Sequence, residues 1–262
     1  MRRTVATRLG AFVLVIVGSF GTAYGVGQKL PGNAESLPHT HDSVAPGMAP
    51  SGFSVDGYVL ITEADRSSAS SLALHINGPD GQRVTDFTES HGSKLHVVLI
   101  RPDLSGFQHV HPDIAADGSF VVPIDQPGKW RIVADVNPAD AEVPIALATN
   151  VDDEVPVDEV ALPTADDEVS VDDLIVSRSE LNFTVVSNDG SSVVGLEPYL
   201  GQPAHLIAIR SGDLAYTHLH PMDGAATTFM FHGTLPTGTY RLFLQFGYRG
   251  DIKTVGFTVV QP

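Results

Sequence analysis

The chain has 262 residues, long enough for two ordinary domains, and its 42% hydrophobic content is that of a folded protein. A formal net charge of −16 disfavours nucleic acid, whose phosphates must be met by clustered Lys and Arg, and disfavours flat adsorption to anionic lipid. The absence of cysteine excludes disulfides, thiolate metal sites, cysteine nucleophiles and iron–sulfur clusters, leaving His, carboxylate, Met or backbone as the only metal ligands.

In chain order the first element is an export signal, residues 1–27. Arg2, Arg3 and Arg8 flank an apolar run from Leu9 to Phe20, and a small-residue tail follows. Two forms stay open: a cleaved signal, or an uncleaved single-pass transmembrane helix with its Arg-rich end in the cytoplasm. Either way the rest of the chain is expected outside the cell membrane, tethered or secreted. Residues 28–52, rich in Pro, Gly, Ser and Ala, predict a flexible stalk. It contains His39, His41 and Met48, either as a plain polar linker or as a weak metal-capturing arm.

The remainder is an internal repeat. Lys94–Pro112 aligns without a gap on Pro203–Pro221, matching His96 to His205, Arg101 to Arg210, Phe107 to Tyr216, His109 to His218 and His111 to His220. The register extends upstream and, after one inserted residue, downstream, where Pro127–Val136 matches Thr237–Phe246. In the first copy, residues 53–150, short strands are predicted at Tyr58–Thr62, Leu72–Ile76, Lys94–Arg101, Phe107–His111, Ser119–Ile124 and Trp130–Val136. In the second, residues 167–262, they fall at Glu168–Asp172, Leu181–Ser187, His205–Arg210, Tyr216–His220, Thr227–His232, Tyr240–Phe246 and Thr254–Val260. Asp80-Gly81, Asp117-Gly118 and Asn188-Asp189-Gly190 are hairpin-type turns. The expected fold class is all-β, two tandem immunoglobulin-like β-sandwich repeats, with a jelly roll or barrel as the alternative. Residues 151–174 carry ten carboxylates and no Lys or Arg. Residues 151–166 therefore predict an extended, solvated acidic linker, or less simply a weak Ca²⁺ site.

The histidines carry the chemistry. Residues two apart in a strand share a face, so His109 and His111 point together, as do His218 and His220. The intervening segments read as hairpin tips, which places His96 opposite or diagonal to His111 and His205 likewise to His220. Each copy can thus gather three imidazoles, a ligand set that suits copper or zinc better than Ca²⁺ or Mg²⁺. The alternative is a set of structural histidines satisfied by backbone groups. Ligation requires neutral imidazole, which sets an expected pH threshold near the ordinary His pKa of about 6.5. His91, unmatched by Leu200, is a fourth candidate or a loop residue, and His75 and His232 read as strand-face residues. Arg101 and Arg210 are expected to brace their turns against Asp103 and Asp213, and Trp130 and Tyr240 to pack in the cores.

The motif running from Leu95-His96 through Arg101-x-Asp-Leu to Phe107-x-His109-x-His111-Pro112, with its second copy and Gly-Thr-Tyr240-Arg-Leu-Phe, resembles a family of actinobacterial secreted or membrane-anchored proteins. That family is similar to the YtkA-like and copper-resistance CopC-like exported β-sandwiches. The resemblance covers nearly the whole chain after residue 27 and implies copper or other heavy-metal handling. The Met-rich and N-terminal-His motifs of exported copper carriers are missing, which leaves the metal open between copper and zinc. The expected function is extracytoplasmic metal sequestration or delivery without catalysis. Its partners would be the metal ion, the membrane through the N-terminal helix, and exported copper-handling proteins. Two other readings stand beside it. One is a structural or adhesive surface protein. The other is a cupin-like metalloenzyme, whose Glu after His-x-His is missing in both copies.

Overall fold

The computed structural model describes residues 51–63, 70–90, 92–124, 126–222 and 227–262. The expected signal or anchor and stalk residues 28–50, with His39, His41 and Met48, lie outside them, as does His91. The first repeat contains β1 (Ser51–Gly52), β2 (Ser54–Val55), β3 (Tyr58–Thr62), β4 (Ser71–Asn77), β5 (Leu95–Ile100), β6 (Gln108–Val110), β7 (Phe120–Pro123), β8 (Lys129–Val136) and β9 (Ile145–Asp152). These form two sheets, β1-β9-β8-β5-β6 and β2-β3-β4-β7.

The second repeat contains β10 (Glu168–Val171), β11 (Leu174–Ser179), β12 (Asn182–Ser187), β13 (Leu196–Glu197), β14 (His205–Arg210), β15 (Tyr216–Leu219), β16 (Thr228–Met230), β17 (Gly238–Tyr248) and β18 (Asp251–Gln261). Its sheets run β10-β11-β12-β16 and β13-β17-β14-β15, with β18 on the other edge of β17. The fold is all-β, a duplicated β-sandwich. No helix among the described residues is long and apolar enough to cross a membrane.

Five strands, β1, β2, β9, β11 and β13, fall outside those expected from sequence. β1 takes in the last two stalk residues and pairs in parallel with Ala146 and Leu147. β9 was not anticipated, because Ile145–Ala148 is buried throughout and so lacks the alternation that marks a half-buried strand. β9 also continues to Asp152, into the acidic segment, whose Val160 N–H donates to Asp103 Oδ2 at 2.8 Å. That bond ties the linker to the first hairpin tip, although Val155, Val157 and Val160 remain exposed.

β5 and β14, which carry His96 and His205, have no solvent face. In β5, Leu95, Val97 and Leu99 enter the first core with Trp130 and Ile132, whereas Val98 and Ile100 face the other way. In β14, Leu206 and Ala208 enter the second core, and Ile207 and Ile209 face outward. The outward sets meet in a third apolar cluster containing Val98, Ile100, Val133, Ile207, Ile209 and Phe243. The two larger sheets therefore bury their outer faces on each other, and the near-continuous hydrophobic runs of β5 and β14 reflect burial on both sides.

Phe107 stacks on Phe243 with ring centroids 3.9 Å apart and an interplanar angle of 8°. The hairpin tips add Leu104 and Leu214, held at φ of 64° and 58° and buried in the same cluster. At the first tip Gly106 has φ of +67°, and a Cβ there would lie 2.8 Å from the Trp130 ring, so only glycine lets the hairpin close.

Phe243→Ala should lower the unfolding free energy of the metal-free protein by about 3 kcal/mol, the usual loss for a buried Phe. A change below about 0.5 kcal/mol, the size of a surface effect, would mean that the facing sheets do not stay packed in solution. Urea denaturation measures it.

Candidate metal centre

The hairpin registers place the histidines. β5 and β6 pair Val97 with Val110 and Val98 with His109, and β14 and β15 pair Leu206 with Leu219 and Ile207 with His218. One further step along each ladder sets His96 against His111 and His205 against His220. The six residues form two groups, His96, His109 and His111, and His205, His218 and His220. Within each, one ring nitrogen per residue lies within 4.8 Å of the others. All six expected positions are thus brought together as two trios.

Hydrogen bonds on the far side of the rings decide which nitrogens turn inward. His96 Nε2–H donates to the Ser90 carbonyl at 3.0 Å, and His205 Nε2–H to the Tyr199 carbonyl at 2.9 Å. His109 Nδ1–H donates to Gln245 Oε1 at 2.7 Å, and His218 Nδ1–H to Asp135 Oδ2 at 3.2 Å. The opposite nitrogens of these rings then carry lone pairs. His96 Nδ1 lies 3.4 Å from His109 Nε2 and 3.0 Å from His111 Nε2, and His205 Nδ1 lies 3.1 Å from His218 Nε2. Two nitrogens bound to one tetrahedral Zn²⁺ at about 2.0–2.1 Å are separated by about 3.3 Å, so the spacing fits a ligand set as well as N–H···N hydrogen bonding.

The trios also face each other, which the sequence did not indicate. Ring centroids of His96 and His218 are 5.3 Å apart, those of His109 and His218 5.5 Å, and His205 is 6.1 Å from both His96 and His109. The outer supports cross the interface. Asp135 belongs to the first repeat and holds His218 of the second, while Gln245 belongs to the second and holds His109 of the first. Tyr199 Oη adds a 3.4 Å contact to His111 Nδ1. His96, His205 and His218 are buried, and His111 and His220 are partly exposed.

Sequence reasoning missed Ser90, Asp135, Tyr199 and Gln245. Asp135 and Gln245 had a detectable signal, since they hold equivalent places in the repeat and interrupt apolar strands, Ile-Val-Ala-Asp-Val and Leu-Phe-Leu-Gln-Phe. The other expectations divide. Arg210 pairs with Asp213 at 3.0 and 2.5 Å. Arg101 instead donates to Gln126 and the Pro127 carbonyl and lies over Trp130, while Asp103 accepts from Ser105 and Val160. Trp130 and Tyr240 are core residues with their polar tips on the Gln126 and Pro236 carbonyls. His75 lies on β4 with Nδ1 3.2 Å from Glu63, whereas His232 falls beyond β16 and is exposed rather than on a strand face.

A family model described as "Domain of unknown function (DUF8832)" matches residues 53–153 and again 165–261. The chain belongs to that family. Each DUF8832 segment carries one trio, so the duplication of the family domain is the duplication of the site. No curated protein matches the chain. Among solved structures it is similar to a two fibronectin type-III domain segment from chicken tenascin, at 10% identity and a TM-score of 0.21, covering 77% of this chain and 97% of that one. It is also similar to the FN1–FN3 domains of chicken CNTN1, at 11% identity and a TM-score of 0.20, covering 83% and 69%.

Burial holds the His109 imidazole well below its ordinary pKa of 6.5, aided by the neighbouring His218 and His111 and opposed by the bond to Gln245. Burial, with His96 and His205 beside it, brings His111 to about 3. Both rings are therefore neutral in the folded protein below the threshold of about 6.5 expected from sequence. The unfolded chain takes up protons at these positions from about pH 6.5 downward, the folded chain does not, and stability must fall with pH across that window. Urea midpoints of the metal-free protein should drop between about pH 7.5 and about pH 5.5, with a shallower slope in His111→Gln. Identical slopes in the two proteins would contradict the shift at His111.

Proposed function

We propose that the protein binds copper or zinc, one ion at His96, His109 and His111 and one at His205, His218 and His220, and sequesters or delivers it outside the cell membrane. The observation that supports this is the convergence of ring nitrogens whose partners across each ring are already hydrogen-bonded. Metal-bound histidines use their second nitrogen in this way, on backbone carbonyls and carboxylates, to fix tautomer and orientation. Imidazole sets suit copper and zinc and do not suit Ca²⁺ or Mg²⁺. The location follows from the export signal and stalk that the sequence predicts, as a single-pass tether or a secreted form. Exported copper-handling proteins of the YtkA-like and CopC-like kind are the partners that fit. The role is binding rather than catalysis.

A structural reading also has an observation behind it. The His109–Gln245 and His218–Asp135 bonds join the repeats without any ion and would fasten them by themselves.

Isothermal titration of Zn²⁺ and Cu²⁺ into tag-free protein near neutral pH separates the two. Metal ligation gives two ions per chain, loss of binding in the His109→Ala, His218→Ala double variant, and stabilisation of about 2.7 kcal/mol at free metal 100 times Kd. No uptake, and a melting temperature indifferent to chelator, would leave only the fastening role.

A further inference from the structure

The supports behind the two trios are equivalent in position but not in charge. Asp135 and Gln245 occupy the same place in the two repeats, on β8 and β17, and each reaches across the interface to the middle histidine of the other trio. Gln245 is fixed by donating from Nε2 to Thr254 Oγ1 at 2.9 Å, which turns its carbonyl to His109 and makes the support there a neutral amide. Asp135 supports His218 with a carboxylate, whose Oδ2 also accepts from Tyr216 Oη at 3.3 Å. The side chains of this pair are largely withdrawn from solvent, 3% exposed for His218 and 17% for Asp135, so water screens the charge weakly.

We infer that the two sites are unequal and that each repeat sets the affinity of the other's site. Asp135 of the first repeat makes His205, His218 and His220 the tighter trio, and Gln245 leaves His96, His109 and His111 the weaker one. A carboxylate hydrogen-bonded to the ring's far nitrogen pushes electron density onto the ligating nitrogen and brings a negative charge towards the cation, whereas an amide only orients the ring. Asp135 also pairs with His96 across β5 and β8, so its charge reaches the first trio. The hydrogen bond is what singles out the second. Asp135 and Gln245 are positioning residues, acting on the metal through His218 and His109. The inference rests on the metal reading of the trios.

The test uses Zn²⁺ as the probe and the full chain, with a chromophoric chelator in competition. His109→Ala, His111→Ala leaves the second trio, and His218→Ala, His220→Ala leaves the first. The second trio alone should bind at least about 10-fold more tightly than the first. Asp135→Asn should weaken the second trio by about 10–100-fold and the first by clearly less, and Gln245→Glu should tighten the first. Equal affinities in the two double variants, or an Asp135→Asn loss of the same size at both trios, would overturn the inference while leaving metal binding intact. Absence of Zn²⁺ uptake by the unsubstituted protein is a different result and would remove the metal reading itself. Gln245→Glu adds charge and turns the Nε2 donor to Thr254 Oγ1 into an acceptor to which that hydroxyl can donate, so it keeps the comparison decisive if Asp135→Asn does not fold.

Discussion

The direction in which the imidazole protons point governs the site. Ser90, Tyr199, Gln245 and Asp135 each take an N–H from the outer side of a ring, and this turns the remaining nitrogens of His96, His205, His109 and His218 towards one another. Rings surrounded by Val, Ile, Leu and Phe would be expensive to bury unless their polar atoms were met, and the outer bonds meet one side of each. The lone pairs of His96 and His109, 3.4 Å apart, and of His205 and His218, 3.1 Å apart, repel unless a proton or a cation lies between them. A divalent ion satisfies a whole trio at once, whereas a proton serves one pair.

That arrangement depends on the duplication. One sandwich alone would present the outer face of its larger sheet, with Val98, Ile100 and Val133, to water. The second copy covers that face with its own equivalent surface, an isologous contact made within one chain. Both trios lie on the faces so joined, and each obtains its outer support partly from the opposite repeat. Association of the repeats therefore also completes the outer supports of both trios. The tandem chain, unlike a homodimer, lets the supports diverge, and Asp135 opposite Gln245 is where they have done so.

Much of this was legible in the sequence, for a definite reason. A gapless repeat with three histidines in register, combined with the two-residue period of a strand, fixes which rings share a face and which lie across a hairpin, and no long-range information is needed. β3 was read to the residue for the same reason, its pattern being local. The meeting of the two trios was not legible, because it is a property of the contact between repeats. Its only trace was that β5 and β14 are apolar at nearly every position, a pattern shared by any strand buried on two sides. β9 escaped on the same grounds. Arg101 and Arg210 differ in their contacts, and so does the spacing to the nearby carboxylate, two residues on at Asp103 but three at Asp213.

The most direct measurement is anomalous diffraction from crystals of the tag-free protein grown with Zn²⁺ and collected on either side of the zinc edge. Two peaks per chain are expected at the interface of the repeats, each about 2.0–2.1 Å from one ring nitrogen of all three histidines of a trio. An interface without anomalous density, with zinc only on surface carboxylates or His232, would contradict it.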